Sequence, residues 1–592
     1  MTRHKGGSFL IEAAAPEDVF TPEDLSAEQR AIGDTVREFV EREVWPALPA
    51  MERHEFEHNV RLLRRAAELG LTGIEIPEEF GGLGLDKVTA AVVTENMGPG
   101  ASFAVTFGAH TGIGTLPIVF FGNRDQKARY LPALASAEKI AAYALTEPES
   151  GSDALSARTT ARLSPDGQHY ILNGTKQWIS NGGFADVFVL YAKVDGEKFT
   201  AFIVERGFPG VSTGAEEHKM GLLGSSTVQV ILQDAQVPVA NVLHEVGKGH
   251  QVAFNILNIG RFKLAAGCVG SSKHVLGLAA RYAQERHQFG RPIASFPLIQ
   301  QKLADMAVRT YAAESMVYRT AGLLEEGLAE IDPGAEDAGR LSARAIHEYA
   351  VEASANKVFA SEVLDFVVDE GVQIHGGYGY MREYEVERAF RDARINRIFE
   401  GTNEINRLLV PGELVRRALK GDLALLPAME QLQRELVTLV PPVPAGAVPL
   451  EVESWLVEAA RKLTLMVAGL GVQKYGTALE GEQELLAGVA DMVIDLFAME
   501  SAILRARKAV LRSGPEDAQG HVDLATAATH DAFDRIESTA RRLLAAIEEG
   551  DALRSQLAVV RKLARRDPVN RVALGRRIAR RVLAAGGYTV AG

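Results

Sequence analysis

The stretch RIFEGTNEINRLL (397–409) sets one carboxylate, Glu400, behind the apolar pair Ile398 and Phe399 and ahead of Gly401. Glu404 follows four residues later, with Asn403, Asn406 and Arg407 around it. An acid placed this way either starts a helix or moves a proton, and the glycine lets a backbone or a ligand come close. HEFEH (His54–His58) fits the zinc-peptidase pattern HExxH literally. That chemistry needs both histidines on one face of a formed helix and a third ligand. This pentapeptide lies in a charged junction just before RLLRRAAELG with no third ligand nearby, so it reads as a solvated helix start and no metal is expected.

Two further stretches end strand-like runs in polar turns. YALTEPESGSD (143–153) stops at Thr146 and supplies hydroxyls and backbone N–H groups, and KQWISNGG (176–183) sets Trp178 and Ser180 ahead of an Asn-Gly-Gly turn. Such strand ends can hold a flat ring system with polar edges, or can be two ordinary hairpin turns. ERHQFGRPI gathers Arg286, Gln288 and Arg291 about a Phe-Gly turn, and QIHGGYGYMRE follows a helix with a Gly-Gly pair whose exposed N–H groups suit a phosphate. None of the glycine clusters gives G-x-G-x-x-G between a strand and a helix, and no G-x-x-x-x-G-K-[ST] occurs, which sets aside a Rossmann nicotinamide site and a P-loop.

The elements that must position these residues follow from the texture of the chain. At 592 residues it is too long for one core. Residues 1–140 are expected to form a helical domain, with Ile32, Val36, Phe39 and Val40 at helical spacing. Residues 141–247 change to short β-branched and aromatic runs separated by turns, including the Pro-Asp-Gly turn of LSPDGQHYILNG, and predict a central β-domain. Long helical patterns return over 248–420, broken at Arg291-Pro292, at Asp332-Pro333-Gly334 and at the QIHGGYGYMRE loop. Residues 421–592 predict a further helical extension, with the Pro-rich linker PPVPAGAVP at 441–449.

Composition narrows the function. The single cysteine, Cys268, excludes an internal disulfide and a cysteine-built zinc or iron–sulfur site within one chain, and suits a reducing compartment. A net charge of −13 argues against nucleic acid as a partner. No run of eighteen apolar residues occurs, and the N-terminus lacks a signal-peptide core, so a cytoplasmic protein is expected.

Taken together and in order, YALTEPESGSD, KQWISNGG, ERHQFGRPI, QIHGGYGY and RIFEGTNEI resemble the five signature segments of the acyl-CoA dehydrogenase flavoproteins, from residue 25 to about 415. The resemblance implies a mainly α fold: an N-terminal helical domain, a β-barrel-like middle domain and a C-terminal helical bundle. The added helical domain and FNILNIGRFKLAAGCVG (254–270) look most like the very-long-chain branch, which is typically a dimer. It further implies FAD, an acyl-CoA substrate, electron-transfer flavoprotein as partner, and fatty-acid β-oxidation as the setting.

By the same resemblance Glu400 is the base that takes the α-proton of the thioester, with Gly401 leaving room for that group. Some relatives carry the base just before the arginine of NIGR, where this chain has Gly260. Tyr143, Ala144, Leu145, Thr146, Ser152, Trp178, Ile179 and Ser180 would hold the flavin ring, with Thr402 and Glu404 beside it. Arg286, Gln288 and Phe289, with Gln373, Ile374, His375, Gly376 and Gly377, would reach the adenine-diphosphate half, often across a subunit interface. Ser152, Phe254, Asn258 and Arg261 fall where relatives meet the CoA substrate, although Asn258 replaces an acid that many carry. The basic helix within 561–581 reads as packed on its own domain with arginines in solvent, ahead of a peripheral contact with the inner membrane. An oxygen-using acyl-CoA oxidase and a non-catalytic assembly scaffold are the alternative readings.

Overall fold

The computed structural model describes residues 4–332, 335, 337–438, 440 and 448–591. The expected break at Pro333-Gly334 and residues 441–447 of the expected linker lie outside the described residues.

Seven helices come first: α1 (Ala27–Phe39), α2 (Trp45–Met51), α3 (Glu57–Glu68), α4 (Lys87–Met97), α5 (Ser102–Gly108), α6 (Leu116–Phe121) and α7 (Arg124–Ala135). Ser26 starts α1 with a capping box: its hydroxyl accepts from Gln29 N, and the Gln29 amide oxygen accepts from Ser26 N. A π turn at Val40–Val44 joins α1 to α2, and a second at Ala109–Gly114 joins α5 to α6. His54 sits in the turn before α3 with φ of 66°, so His54 and His58 share no helical face. Glu55, Glu57 and His58 do bring ligand atoms within 4.8 Å of one another at this partly exposed junction.

The middle of the chain is one sheet: β1 (Ala141–Ala144), β2 (Thr160–Leu163), β3 (His169–Ser180), β4 (Val187–Val194), β5 (Lys198–Glu205), β6 (Val211–Thr213), β7 (Thr227–Pro238) and β8 (Val242–Leu243). The strand order is β6-β7-β3-β2-β4-β5-β8, with β1 added parallel to β4. β3 runs antiparallel to β7, and its register slips between Lys176 and Ile179. The Pro-Asp-Gly turn joins β2 to β3 as the sequence predicts.

The helical bundle that follows is α8 (Gly249–Glu285), α9 (Pro297–Leu328), α10 (Ala338–His347), α11 (Ala350–His375), α12 (Glu385–Ala393) and α13 (Asn403–Lys420). A two-residue hairpin pairing, Arg291 with Gln288, makes the break after α8. The extension is α14 (Leu425–Thr438), α15 (Glu451–Tyr475), α16 (Gln483–Asp517), α17 (Gln519–Ile547), α18 (Gly550–Leu563) and α19 (Arg571–Ala585). α8 packs on α4, α9 and α11, while α16 packs on α9 and α13, so the extension is built onto the bundle. By length and composition Ser102–Phe121 and Gly249–Glu285 are apolar enough to cross a membrane, yet most of each is buried within the fold.

Bundle and extension share a buried ionic cluster. Arg505 on α16 pairs with Glu314 on α9 (2.6 Å) and with Glu23 of the N-terminal segment (2.6 Å). Lys273 on α8 pairs with both Glu314 and Glu95, and the Tyr588 hydroxyl donates to Glu314 (2.5 Å). Burial opposes ionisation of Glu314, but Arg505 and Lys273 hold it down to about 2.

Candidate active site

Glu400 sits on the loop between α12 and α13, which Thr402 closes by accepting from Ile405 N (3.2 Å) at the start of α13. Glu400 and Gly401 are consecutive left-handed residues, with φ of 56° and 77°. For a side chain as large as glutamate this conformation costs of order 1 kcal/mol, so the surroundings must impose it. They do so by turning the loop's carbonyls into the bundle. Arg261 Nε (3.2 Å) and Asn406 Nδ2 (3.4 Å) donate to Glu400 O. Asn406 Nδ2 (2.8 Å) and the buried Lys357 Nζ (2.7 Å) donate to Gly401 O. Lys357 also donates to Asn403 Oδ1 (2.7 Å), and Arg407 ties the same turn to Asp491 on α16 (2.7 Å). Among the described residues the N–H of Glu400 has no partner, and its buried Oε2 has none either.

Burial raises the Glu400 carboxyl to about 7, against the pull of Arg261 and Lys357. Burial likewise lowers Arg261 to about 10 and Lys357 to about 8, each opposed in part by Glu400. The carboxylate lines a cavity walled by Met97, Ala104, Gly260, Leu264, Leu278 and Leu364. Gly260 faces it directly: a Cβ added there would lie 2.7 Å from Glu400 Cδ and 3.1 Å from Oε1. Glu400 and a side chain at 260 thus compete for one space. Gly401 is required for a local reason as well as for passage, because a Cβ there would meet Asn406 Nδ2 at 3.1 Å on top of the positive φ.

The two strand ends anticipated from the sequence are brought together. Gln177 N donates to Thr146 O (2.9 Å), and the buried Lys176 bonds Leu145 O (3.3 Å) and Glu147 (2.6 Å), pinning the TEPESGSD turn to β3. The register slip in β3 leaves Trp178 with φ of 58° and 59% exposed, while Ile179 is buried in the sheet. An indole left in solvent at a strand end, beside Ser180 on the cavity wall that also carries Glu400, fits a planar ring with hydrogen-bonding edges. Ala144 and Leu145 are buried, so they offer backbone only, and the Tyr143 ring packs edge-on against Tyr191 at 5.4 Å. Ser152 is exposed on the turn, the Thr402 hydroxyl is used as a helix cap, and Glu404 lies in the first turn of α13.

The second pair of loops also meets. Tyr282 stacks on His375 at 4.0 Å and donates to His375 O (3.2 Å), and the Arg286 guanidinium lies 5.5 Å from the Tyr378 ring. Gln288, Gln373, Gly376 and Gly377 are exposed there, and Phe289 is 92% exposed. Ile374 and His375 depart from the expectation. Both are buried, Ile374 in the core and His375 bonded to Gly371 O (2.7 Å), so their side chains face away from any ligand on the loop. Among the described residues no hydrogen bond, ion pair or ring contact joins these loops to Trp178 or Ser180.

The residues expected at the CoA end divide. Phe254 is exposed, but Asn258 and Arg261 are buried at 2% and 5% exposure and bond each other and the base loop, so they act behind the site. Sequence reading missed Lys357 and gave Asn406 no role. Asn406 stood in the quoted segment, whereas Lys357 lies in an alanine-rich helix with no local signal.

The sequence matches the family model described as acyl-CoA dehydrogenase, N-terminal domain, over residues 26–138, the middle domain over 142–235 and the C-terminal domain over 247–414. A further model, also described as acyl-CoA dehydrogenase, C-terminal domain, matches 459–562. A probable acyl-CoA dehydrogenase of Bacillus subtilis is 55% identical over 99% of this chain and 98% of its own. The human mitochondrial very long-chain specific acyl-CoA dehydrogenase is 42% identical over 76% of this chain and 70% of its own. The crystal structure of an acyl-CoA dehydrogenase from Bacillus anthracis complexed with FAD superposes with a TM-score of 0.98, at 55% identity, covering 99% of this chain and all of that one.

Proposed function

The chain belongs to the acyl-CoA dehydrogenase family, and on that premise we propose that it is an FAD-dependent enzyme converting long- or very-long-chain acyl-CoA to trans-2-enoyl-CoA, with electrons passed on to electron-transfer flavoprotein. The observation that carries this reading is the Glu400 carboxyl, held at about 7 in an apolar cavity with a free oxygen and an unpartnered N–H on the same residue.

Glu400 takes the α-proton. A pKa near neutral gives a carboxylate that is ionised yet basic enough to act at working pH. The negative charge gathering on the thioester oxygen needs donors placed in advance, and the Glu400 N–H, unpartnered among the described residues, is available as one. Arg261, Lys357 and Asn406 keep the base loop in its strained shape through the reaction. FAD, when bound, supplies the acceptor for the β-hydride. Trp178 and Ser180 would hold its ring, and Arg286, Gln288, Gly376 and Gly377 would meet its diphosphate half. The exposed Phe289 and Tyr380 beside those loops suit a face completed by a second copy of the chain.

The preference for a long chain is supported by α8. Its cavity-facing residues run from Gly260 to Leu278, which is about 27 Å of helix at 1.5 Å per residue. An extended alkyl chain advances about 1.25 Å per carbon given C–C bonds near 1.5 Å, so this span suits roughly twenty carbons.

Anaerobic titration of the flavin-loaded protein with acyl-CoAs of increasing length tests the proposal. Long-chain thioesters are expected to bleach the flavin, and Glu400→Gln is expected to bind them without bleaching. Bleaching that survives in Glu400→Gln would overturn the assignment of the base. Stoichiometric peroxide on admission of air would replace electron-transfer flavoprotein by oxygen as the acceptor.

A further inference from the structure

Behind the base a chain of buried polar groups leads outward. Arg261 Nε donates to Glu400 O (3.2 Å), Arg261 Nη1 donates to Asn258 Oδ1 (2.9 Å), and Asn258 Nδ2 lies 3.2 Å from Nδ1 of His347, the last residue of α10. We propose that His347 is a positioning residue for the base: by accepting from the Asn258 amide it anchors the far end of that amide, holds its oxygen on Arg261, and so seats the guanidinium on the Glu400 carbonyl. The inference rests on Glu400 as the base and extends that reading to residues outside the cavity.

The orientation follows from donor chemistry. A guanidinium only donates, so the oxygen of Asn258 must face Arg261 and its NH2 must face His347. The NH2 can bond there only if Nδ1 carries a lone pair, which makes His347 the neutral tautomer protonated at Nε2. Among the described residues the Asn258 side chain has no other hydrogen-bond partner. Turned around, the amide would set its NH2 against a cation, and burial makes that mismatch expensive. Arg261 is the closer of the two donors on Glu400 O, the other being Asn406 at 3.4 Å, and that carbonyl belongs to the residue whose φ is positive.

Protonating His347 removes its acceptor and releases the chain. Glu348 and Glu413 face the imidazole and favour the proton, Arg416 and Arg417 disfavour it, and burial, the largest influence, holds its pKa below the ordinary value. Glu400 is faced by Arg261 and Lys357, with Tyr143 nearby and Glu404 beyond Lys357. The amide is therefore locked at neutral pH and let go only in acid, below the point where Glu400 itself is protonated.

The test uses the full-length, FAD-loaded protein and single-turnover flavin reduction by a long-chain acyl-CoA from pH 5 to 9, for the parent, His347→Leu and His347→Gln. Leucine cannot accept, and its rate at pH 8 is expected to fall about tenfold, as for a lost buried hydrogen bond. Glutamine can accept through Oε1 and is expected to restore most of that loss. On the acid side the parent should steepen from a one-proton to a two-proton slope, and His347→Gln should stay at one. A second readout is the infrared band of the Glu400 carboxyl, each protein taken against its own Glu400→Gln partner. Its midpoint should rise in His347→Leu, where Arg261 is no longer fixed beside it, and hold in His347→Gln. Rates and midpoints of His347→Leu that superimpose on the parent would overturn the proposal. Equal acid slopes in the parent and His347→Gln would do so even if the leucine variant failed to fold. A Glu400→Gln protein that kept the parent rate would sink the base instead, and the carboxyl midpoints would still report whether His347 acts on Glu400.

Discussion

Adding one carbon at Gly260 should make the protein slower without making it weaker. The new Cβ of Gly260→Ala would stand 2.7 Å from Glu400 Cδ and closer still to its Oε2, whereas ordinary contact begins at 3.4 Å, so the carboxylate must retreat by about 1 Å. Displacing a reacting group by about 1 Å costs up to about a hundredfold, so a fall in the flavin-reduction rate of about thirty- to a hundredfold is expected. The retreating atoms are the end of a flexible side chain, which limits the packing penalty. Removing a glycine from the interior of α8 stabilises the helix by about 0.5–1 kcal/mol. The melting temperature should therefore hold or rise slightly while the rate falls. Anaerobic stopped-flow with acyl-CoAs of several lengths separates causes: a displaced base slows every chain length equally, whereas a blocked tunnel raises KM for some of them. A parent-like rate in Gly260→Ala would refute the shared-space argument, and a chain-length-dependent loss would refute its attribution to the base.

The Glu400 carboxyl predicts two opposed pH effects. Proton abstraction needs the ionised form, so the rate should rise with pH through about 7 and fall away below it. Because its folded pKa lies above the ordinary 4.5, the stability it contributes is complete below 4.5 and is lost as pH rises to 7, so Glu400→Gln should be more stable than the parent at pH 8, by about 3 kcal/mol, and about equal to it at pH 4.5. Trp178→Ala, at an exposed position, should leave the melting temperature of the apoprotein within a degree or two yet weaken FAD retention at least tenfold, as read by fluorescence of released flavin. Arg505→Met strands Glu314 without one of its buried partners and should cost about 3–5 kcal/mol in urea unfolding.

Much of this was legible in the sequence because it is local. Periodicity marked the helical, β and helical regions, and the Pro-Asp-Gly turn marked the β2–β3 hairpin. Glu400, Trp178 and Ser180 stood out because each sits at a strand or helix boundary beside a glycine or a polar turn. What stayed hidden depends on contacts between distant segments. Lys357 acts on Gly401 from 44 residues away, and His347 reaches Asn258 across 89. Neither leaves a pattern in its own helix. The π turns at Val40–Val44 and Ala109–Gly114 were invisible for a related reason, since one extra residue in a helix barely disturbs its apolar spacing. Ile374 was misplaced because a motif names a loop but not which of its side chains turn inward.

The ionic cluster around Glu314 bears on how the polypeptide is made. Glu314 and Lys273 leave the ribosome early, while Arg505 lies 191 residues and Tyr588 274 residues downstream of Glu314. During synthesis the nascent bundle can be long complete as far as Lys420 while its acid at 314 still lacks two of the groups that neutralise it. Vectorial production thus includes a closing step, in which Arg505, emerging well after the bundle, locks Glu23 against it. A chain released early by a stop codon in α15, before Arg505, would keep Glu400 and its clamping residues and lose that lock, and would be a substrate for proteolysis before it was an enzyme.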